Sequence, residues 1–319
     1  MNTGWVPPEL RDDDAKRFTS EFHDQIGTFG DVGDTSVDIP DRQIFAELEL
    51  QHNEGKLLPR VWQITGSGVG CGGATAYTKA MLADIIWRGD NETVKQIFPF
   101  APYGIGRRKG GMRRTGEGSF GAVQAWACHP DNFGYVAWDH PSVPKPSVQG
   151  AWWKWTKQQE IQWSHPSAWP TDEQQLTQDA SSHGIHAVTQ VTSVGQLVEG
   201  FAQGYSATLA SMFGTQPRVE GDVLIGRWNR SWAHQMSAPP TLWKHPKHGM
   251  IFQVDNQWGP SAHPSCPTLS QFGVDGSFWM LEGDMAKVIK TGEVYLHSNT
   301  GGFPGRPGFW DLGHVFEEE

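Results

Sequence analysis

The hydrophobic pattern of the chain changes about halfway along its 319 residues. Over 69–87, apolar residues recur at three- and four-residue steps, which predicts a buried helix that begins just after several glycines. A second helix is predicted over 120–128, from the run FGAVQAWAC. From His186 onward the pattern becomes one of short β-like runs, with a helical stretch, SVGQLVEGFAQG, between the first two. The runs are IHAVTQV, YSATLASMF, MIFQVDNQW, GSFWML and EVYLHS.

An α-rich first part and a β-rich second part predict an α+β architecture in two lobes. We place a helical lobe at about 56–185 and a β-rich lobe at about 186–319, which together form one domain over 56–319. Residues 1–55 are polar and rich in Asp and Gly, with one apolar patch, IFAELEL, that suits a short strand or helix. Two interpretations of 1–55 stay open: an extended N-terminal arm that docks on a neighbouring subunit, or a long strand-and-loop segment of the same domain.

Charge and hydropathy narrow the range of partners. With 35 acidic and 25 basic residues the formal net charge is -10, which disfavours nonspecific attachment to DNA or to an anionic membrane. No run approaches the roughly 20 apolar residues that cross a bilayer. The first ten residues, MNTGWVPPEL, have neither a basic nor an apolar signal region. We therefore expect no nucleic acid as main partner, no membrane and no signal peptide.

Cysteine and histidine spacing gives no sign of a disulfide framework or a metal site. The three cysteines are isolated, without a C-x-x-C pair, so we expect reduced thiols: Cys71, Cys128 and Cys266. The 13 histidines include two His-x-x-His pairs that lack further ligands at zinc spacing: His183 with His186 and His245 with His248. We predict neither a metal nor a cofactor.

Three further segments are compared with functional interpretations. The glycine-rich GSGVGCGGAT is not followed by the Lys-Ser or Lys-Thr of a phosphate-binding loop. The cluster RRKGGMRR over 107–114 is interpreted as a solvated loop, with a carboxylate-lined partner surface as the alternative. The tryptophans of AWWKWTK, at 152, 153 and 155, suit core packing first and a protein interface second.

The remaining candidate residues fit thiol chemistry. A nucleophilic cysteine needs a stabilised thiolate, an imidazole held by an amide or carboxylate, and donors for the developing oxyanion. Gln63 and Cys71 flank the start of the first predicted helix, while His234 and Asn256 follow in the β-rich half. Each of these residues alone is more often structural. Their order along the chain, with Asn-x-Trp-Gly at the end, makes the set informative.

These segments resemble the papain-like cysteine peptidases over about residues 56–290. VWQITGSGVGCGGATAYTKA is similar to the family's Gln and Gly-Ser-Cys at a helix start, RSWAHQMS to its His strand, and DNQWGP to its Asn-Ser-Trp-Gly turn. The resemblance is closest to divergent papain-like proteins encoded by tailed bacteriophages, through GSGVG at 66–70 and GGFPG at 301–305. It implies a two-lobed papain-like fold.

The resemblance leaves two registers for the nucleophile. If Gly66 and Ser67 align with the family's Gly-Ser, the nucleophile position falls on Gly68, and Cys71 lies one helical turn further on. If Cys71 is the nucleophile, Gln63 lies eight residues upstream instead of the family's six, whereas its separation from Gly68 is five. The pattern GSxVG matches the family better in the register that places Gly68 at the nucleophile position. We therefore favour Gly68 and a degenerate peptidase site.

The favoured hypothesis is a virion-associated phage protein that uses the papain-like fold as a structural or binding module. Its partners would be other protein subunits of the particle, and its location the virion or, during assembly, the host cytoplasm. The alternative is an active cysteine peptidase that takes a peptide substrate. In it Cys71 attacks the carbonyl, His234 is base and then acid, Asn256 orients the imidazole, and Gln63 helps to bind the oxyanion. Amidase or transglutaminase chemistry on the same residues also stays open.

Overall fold

A computed structural model describes residues 4–33, 37–89, 94–114, 116–143, 156–229 and 232–306. The helices are α1 (Asp13–Ile26), α2 (Phe29–Val32), α3 (Phe45–His52), α4 (Gly68–Arg88), α5 (Phe100–Lys109), α6 (Gly121–Cys128), α7 (Lys157–Trp163), α8 (Glu173–Ala180), α9 (Val194–Ala202), α10 (Pro267–Ser270) and α11 (Glu282–Thr291). The strands are β1 (Arg42–Gln43), β2 (Ala187–Gln190), β3 (Ser206–Ser211), β4 (Arg218–Glu220), β5 (Val223–Gly226), β6 (His234–Ala238), β7 (Leu242–His245), β8 (Gly249–Asp255), β9 (Ser277–Leu281) and β10 (Glu293–Ser298). The tryptophans at 152, 153 and 155, whose packing role was predicted, lie outside the described residues.

Helix α4 is the central element of the helical lobe and packs against both lobes. Its residues are buried almost without interruption, and it ends where Gly89 adopts a left-handed φ of 69°. Glycines allow the close packing near its start. A Cβ on Gly70 would lie 2.9 Å from Tyr103 Cβ, and one on Gly72 would lie 3.0 Å from the carbonyl oxygen of Gln235 in β6. The predictions of this helix and of α6 are confirmed.

The β-rich lobe is a mostly antiparallel sheet in the order β2-β10-β3-β6-β8-β9-β5-β4, with β7 paired to β8 and β1 to β7. Its five predicted runs become β2, β3, β8, β9 and β10, and the predicted helix between the first two becomes α9. Strand β6 lies between β3 and β8, and α4 packs against it. The sheet therefore places the first residue of β6 and the residue after β8 close to the start of α4.

Residues 4–33 and 37–55 fold onto both lobes, and extended backbone is only part of them. Asp12 caps α1 by accepting a hydrogen bond from the Ala15 backbone N–H at 2.8 Å. Along α1, Phe18, Phe22 and Ile26 face the core of the helical lobe at helical spacing. This apolar stripe gives α1 a face to bury on the helical lobe.

One residue of the basic cluster, Arg107, is integrated into the fold, whereas its other basic residues are exposed: Arg108, Lys109, Arg113 and Arg114. The first residues of the cluster belong to α5, and Arg107 is 2% exposed. Its guanidinium donates to the carbonyl oxygens of Ser164 at 3.0 Å, of Arg113 at 2.9 Å, and of Gly118. The interpretation as a solvated loop is wrong for this residue, because backbone carbonyls replace the water that a buried guanidinium needs.

Other features of the described residues concern thiols and membranes. All three cysteines are buried and free, as predicted: Cys71, Cys128 and Cys266.

None of the described helices combines the length and the apolar character that spanning a bilayer requires.

Candidate active-site cleft

The N-terminus of α4 carries the position where the resemblance expects a nucleophile. The helix begins at Gly68, and Ser67 is its N-cap residue. A side chain on the first helical residue would be exposed to the positive end of the helix dipole, which stabilises a thiolate. Gly68 has no side chain to place there. The first position of the helix is therefore occupied by a residue that has no reactive side chain.

Cys71 lies one turn further along α4, about 4.5 Å along its axis from Gly68. Its side chain is fully buried, and its Sγ lies 3.6 Å from Ser67 Oγ, with which it shares a hydrogen bond. Burial and the nearby carboxylate of Glu160 raise the pKa of the Cys71 thiol well above its ordinary value. These surroundings are the opposite of those that activate a thiolate.

Glu160 in α7 fixes the loop that precedes α4. Its carboxylate accepts hydrogen bonds from the backbone N–H groups of Ile64 at 2.8 Å and Thr65 at 2.9 Å. It also accepts from the hydroxyls of Thr65 at 2.6 Å and Ser67 at 3.0 Å. Burial raises the pKa of Glu160, although these hydrogen bonds act in the opposite direction. Sequence reasoning missed this residue, because its partners lie more than 90 positions away.

Gln63 lies in the same loop and is attached to the β-rich lobe. Its backbone N–H donates to the carbonyl oxygen of Gln257 at 2.8 Å. Its side-chain Nε2 donates to the carbonyl oxygen of Thr65 at 3.0 Å. The amide that the resemblance assigns to an oxyanion is therefore engaged by its own loop in this structure.

His234 and Asn256 form the pair that the resemblance predicts. His234 is the first residue of β6, and Asn256 directly follows β8. His234 Nε2 and Asn256 Oδ1 are 3.1 Å apart, and because this oxygen only accepts, the ring nitrogen donates. The imidazole stacks on the Trp258 ring with centroids 5.0 Å apart and an interplanar angle of 23°. The pair is buried, and Asn256 fixes the orientation of the imidazole, as it would for a general base.

A third residue, His263, extends this pair. Asn256 Nδ2 donates to His263 Nε2 at 2.8 Å. Burial lowers the pKa of His263 to about 4, which keeps the ring neutral and able to accept. Sequence reasoning missed this contact. The signal was a histidine seven residues after Asn256, in the same turn-rich segment.

Residues 4–6, which we call the strap, lie between the two sides of the cleft. Gly4 pairs with His234 in an antiparallel bridge. The Ser119 N–H donates to the Gly4 carbonyl at 2.9 Å, and the Val6 N–H donates to the Ser119 carbonyl at 2.7 Å. A Cβ on Gly4 would lie 2.7 Å from the backbone nitrogen of Gly68. The strap therefore contacts both the first residue of α4 and the histidine strand.

A buried ion pair anchors the strap. The Trp5 indole is 2% exposed and donates to Glu293 Oε2 at 2.7 Å. The Arg11 guanidinium donates to both oxygens of the same carboxylate, at 3.1 and 2.6 Å. Burial alone would raise the pKa of Glu293, but the charge of Arg11 and the hydrogen bonds from Arg11, Trp5 and the Gly121 N–H together outweigh it and leave the pKa below its ordinary value. Residues 4–11 are thus bound to the central sheet through one carboxylate on β10.

A pocket of about 510 Å³ opens beside the Asn256 and His263 pair. The rings of Trp232 and Trp258 line it, with centroids 5.2 Å apart. Among the described residues, no group of three or more His, Cys, Asp or Glu side chains is arranged to hold a metal ion.

Comparisons with known proteins find similarity of structure only. No protein family model and no curated protein matches the chain. Xylellain, a cysteine protease from Xylella fastidiosa, is similar with a TM-score of 0.57 and 14% identity, over 94% of this chain and 96% of that chain. The Amb a 11 cysteine protease of ragweed pollen, in its proform, is similar with a TM-score of 0.51 and 12% identity, over 88% and 73% of the two chains.

The chain adopts a papain-like fold. Identities this low establish the fold and leave the activity open. Within this fold the structure brings Gln63, Gly68, His234 and Asn256 to one cleft, and it buries Cys71 one turn deeper. The predicted relation to bacteriophage proteins and the catalytic roles of these residues stay predictions.

Proposed function

We propose that this chain is a non-catalytic papain-like protein, a structural or binding component of a phage particle whose peptidase site is degenerate. The observation that carries the proposal is Gly68 at the first position of α4, in the cleft that also holds His234. A glycine supplies neither a nucleophile nor a proton to transfer. Chemistry at this cleft would therefore need a nucleophile from elsewhere.

The surroundings of Cys71 support the same conclusion. A catalytic thiol is partly exposed and has a lowered pKa. Cys71 is fully buried, it hydrogen-bonds Ser67, and its pKa is raised. The strap adds a steric obstacle, since Gly4 lies against both Gly68 and His234.

The retained His234 and Asn256 have a structural use without catalysis. Their hydrogen bond joins the start of β6 to the end of β8, and Asn256 joins that end to His263. Stacking on Trp258 adds aromatic burial to the same turn. A buried hydrogen-bond network of this kind stabilises a fold whether or not substrate is turned over.

Placement in a viral particle, among other protein subunits, rests on the resemblance of GSGVG and GGFPG to phage-encoded proteins. In the structure the second segment contacts α2 and the residue after it. Phe303 packs edge-on against Phe29 and Tyr205, with centroids 5.7 and 5.0 Å apart. Mass spectrometry of purified phage particles tests this placement. Stoichiometric presence of the chain supports it, and absence from particles that assemble normally contradicts it.

Peptidase activity is tested with the full-length chain and an unfolded protein substrate, with the products identified by mass spectrometry. We expect no cleavage above the rate without protein, and the same result for Cys71→Ser. Cys128→Ser is the matched control, because that thiol is also buried in the helical lobe. Cleavage that Cys71→Ser abolishes and Cys128→Ser retains would contradict the proposal.

The second candidate is an active cysteine peptidase that uses Cys71, His234 and Asn256 on a peptide substrate. The geometry of the histidine and its amide favours it, because a buried, oriented imidazole is the costly part of a catalytic pair. It requires the strap to leave the cleft and Cys71 to become exposed. The cleavage experiment above separates the two candidates.

A further inference from the structure

The strap is held as an added strand, a mode of contact by which extended peptides bind many proteins. Ser119 and His234 offer backbone groups on the two sides of the cleft, and the strap pairs with both. In such strand addition, backbone hydrogen bonds provide affinity for any extended chain, and the space around alternate side chains provides selectivity. At each of two positions of the strap, the surroundings select a particular residue type.

The first position accepts only glycine. Gly4 has a φ of 102°, a conformation that residues with a side chain rarely adopt. A Cβ there would lie 2.4 Å from the carbonyl oxygen of Gly66. That carbonyl cannot move away freely, since it accepts hydrogen bonds from the Gly118 N–H at 2.9 Å and the Tyr103 hydroxyl at 3.1 Å.

The second position suits tryptophan. The Trp5 ring is buried in the core of the helical lobe, so a large apolar side chain is needed to fill the space. One carboxylate, Glu293, faces the ring and accepts its N–H. A phenylalanine would fill most of the volume but would leave that carboxylate without one of its donors. Beyond this position the chain turns to solvent, and Leu10 is 73% exposed.

We propose that the cleft is a binding site for an extended peptide in which tryptophan follows glycine, and that the strap occupies it in cis. The partner is a second polypeptide that presents this pair. The inference rests on the proposed function in one respect, that the cleft binds a peptide without cleaving it. It assigns a ligand class to the cleft: backbone groups of Ser119 and His234 pair the peptide, and Glu293 receives its indole.

The experiment uses full-length proteins and a peptide of residues 1–8, MNTGWVPP, with a fluorophore at its C-terminus. Gly4→Ala prevents the chain's own strap from seating, while the exposed Leu10→Ala is the matched control in the same segment. Fluorescence anisotropy measures binding. We expect Gly4→Ala to bind at least about tenfold more tightly than the wild type or Leu10→Ala. Peptides with alanine in place of the glycine or the tryptophan should bind at least about tenfold more weakly.

Equal binding by all three proteins, equal binding of the three peptides, or no binding by Gly4→Ala would overturn the inference. Circular dichroism confirms that Gly4→Ala folds. If it does not, full-length Trp5→Ala replaces it with the same expectations. Mass spectrometry of the recovered peptide separates this inference from the proposed function. An intact bound peptide supports both, a cleaved one contradicts only the non-catalytic proposal, and no binding contradicts only the inference.

Discussion

The two sides of the cleft differ in what the fold has kept. On the β-rich side, His234 and Asn256 share a hydrogen bond and His234 stacks on Trp258, the arrangement that the resemblance predicts for a catalytic pair. On the helical side, the first position of α4 is Gly68, and the nearest thiol is buried. The β-rich residues also hold strands and a turn together, whereas a nucleophile at a helix start contributes little packing. Under the proposed function, a group with a structural use persists where a purely chemical one is lost.

The largest expected effect comes from the anchor of the strap. Glu293→Gln leaves the Arg11 guanidinium buried without its counter-charge, which costs about 3–5 kcal/mol of folding free energy. Urea unfolding of the variant measures the loss. Glu9→Gln, an exposed change near the strap, is the control and should stay within about 0.5 kcal/mol of the wild type. Equal stability of the two variants would mean that the ion pair does not anchor residues 4–11.

Asn256→Ala should cost less, about 1–3 kcal/mol, because it removes two hydrogen bonds and leaves the rings of His234 and His263 without these partners. Thermal and urea unfolding measure the change. Asn53→Ala removes one exposed side-chain hydrogen bond and provides the comparison. A cost no larger than that of Asn53→Ala would contradict a structural use for the retained pair.

Restoring a thiol tests the helical side directly. In Gly68→Cys the introduced thiol lies at a helix N-terminus, where its pKa should fall, but the strap lies against it. We expect the double variant Gly4→Ala with Gly68→Cys to alkylate at least about tenfold faster than Gly68→Cys alone. Alkylation of the native proteins with iodoacetamide, read by peptide mass, gives both rates. Equal rates would show that the strap does not cover this position.

The smallest effect concerns pH. Because the folded-state pKa of His263 is lowered to about 4 while the unfolded value is about 6.5, its contribution to stability is complete above pH 6.5 and is lost as the pH falls toward 4. His263→Gln should therefore flatten the decline of unfolding free energy across this window. His186→Gln, an exposed change, should leave the decline as in the wild type. Superimposable curves for the two variants would contradict the buried, neutral state of His263.

The elements that the sequence predicted are those with strong local patterns. Helix α4, helix α6 and five strands follow apolar periodicity over eight residues or more, or short β-branched and aromatic runs between turns. The pairing of His234 with Asn256 was predicted from motif resemblance. These features depend on nearby residues or on a recognisable turn.

The strap and its anchor could not be predicted in this way. Trp5 and Glu293 are 288 residues apart in sequence, and only the folded sheet brings them together. Gly4 shows no local signal for its φ or for its contact with Gly66. Helix α1 lies in the segment for which an extended arm and a strand-and-loop segment both stayed open, because polar residues dominate its composition, although Phe18 and Phe22 keep helical spacing.

The reactivity of Cys71 in the native protein tests the loss of catalysis most directly. The rate of its alkylation is measured against pH by peptide mass, beside a His234→Ala variant and with Cys128 as internal reference. A non-catalytic site predicts that both thiols stay unlabelled until denaturant is added, in the wild type and in the variant. Fast labelling of Cys71 with an apparent pKa well below about 8.5, lost in His234→Ala, would contradict it and identify an active peptidase.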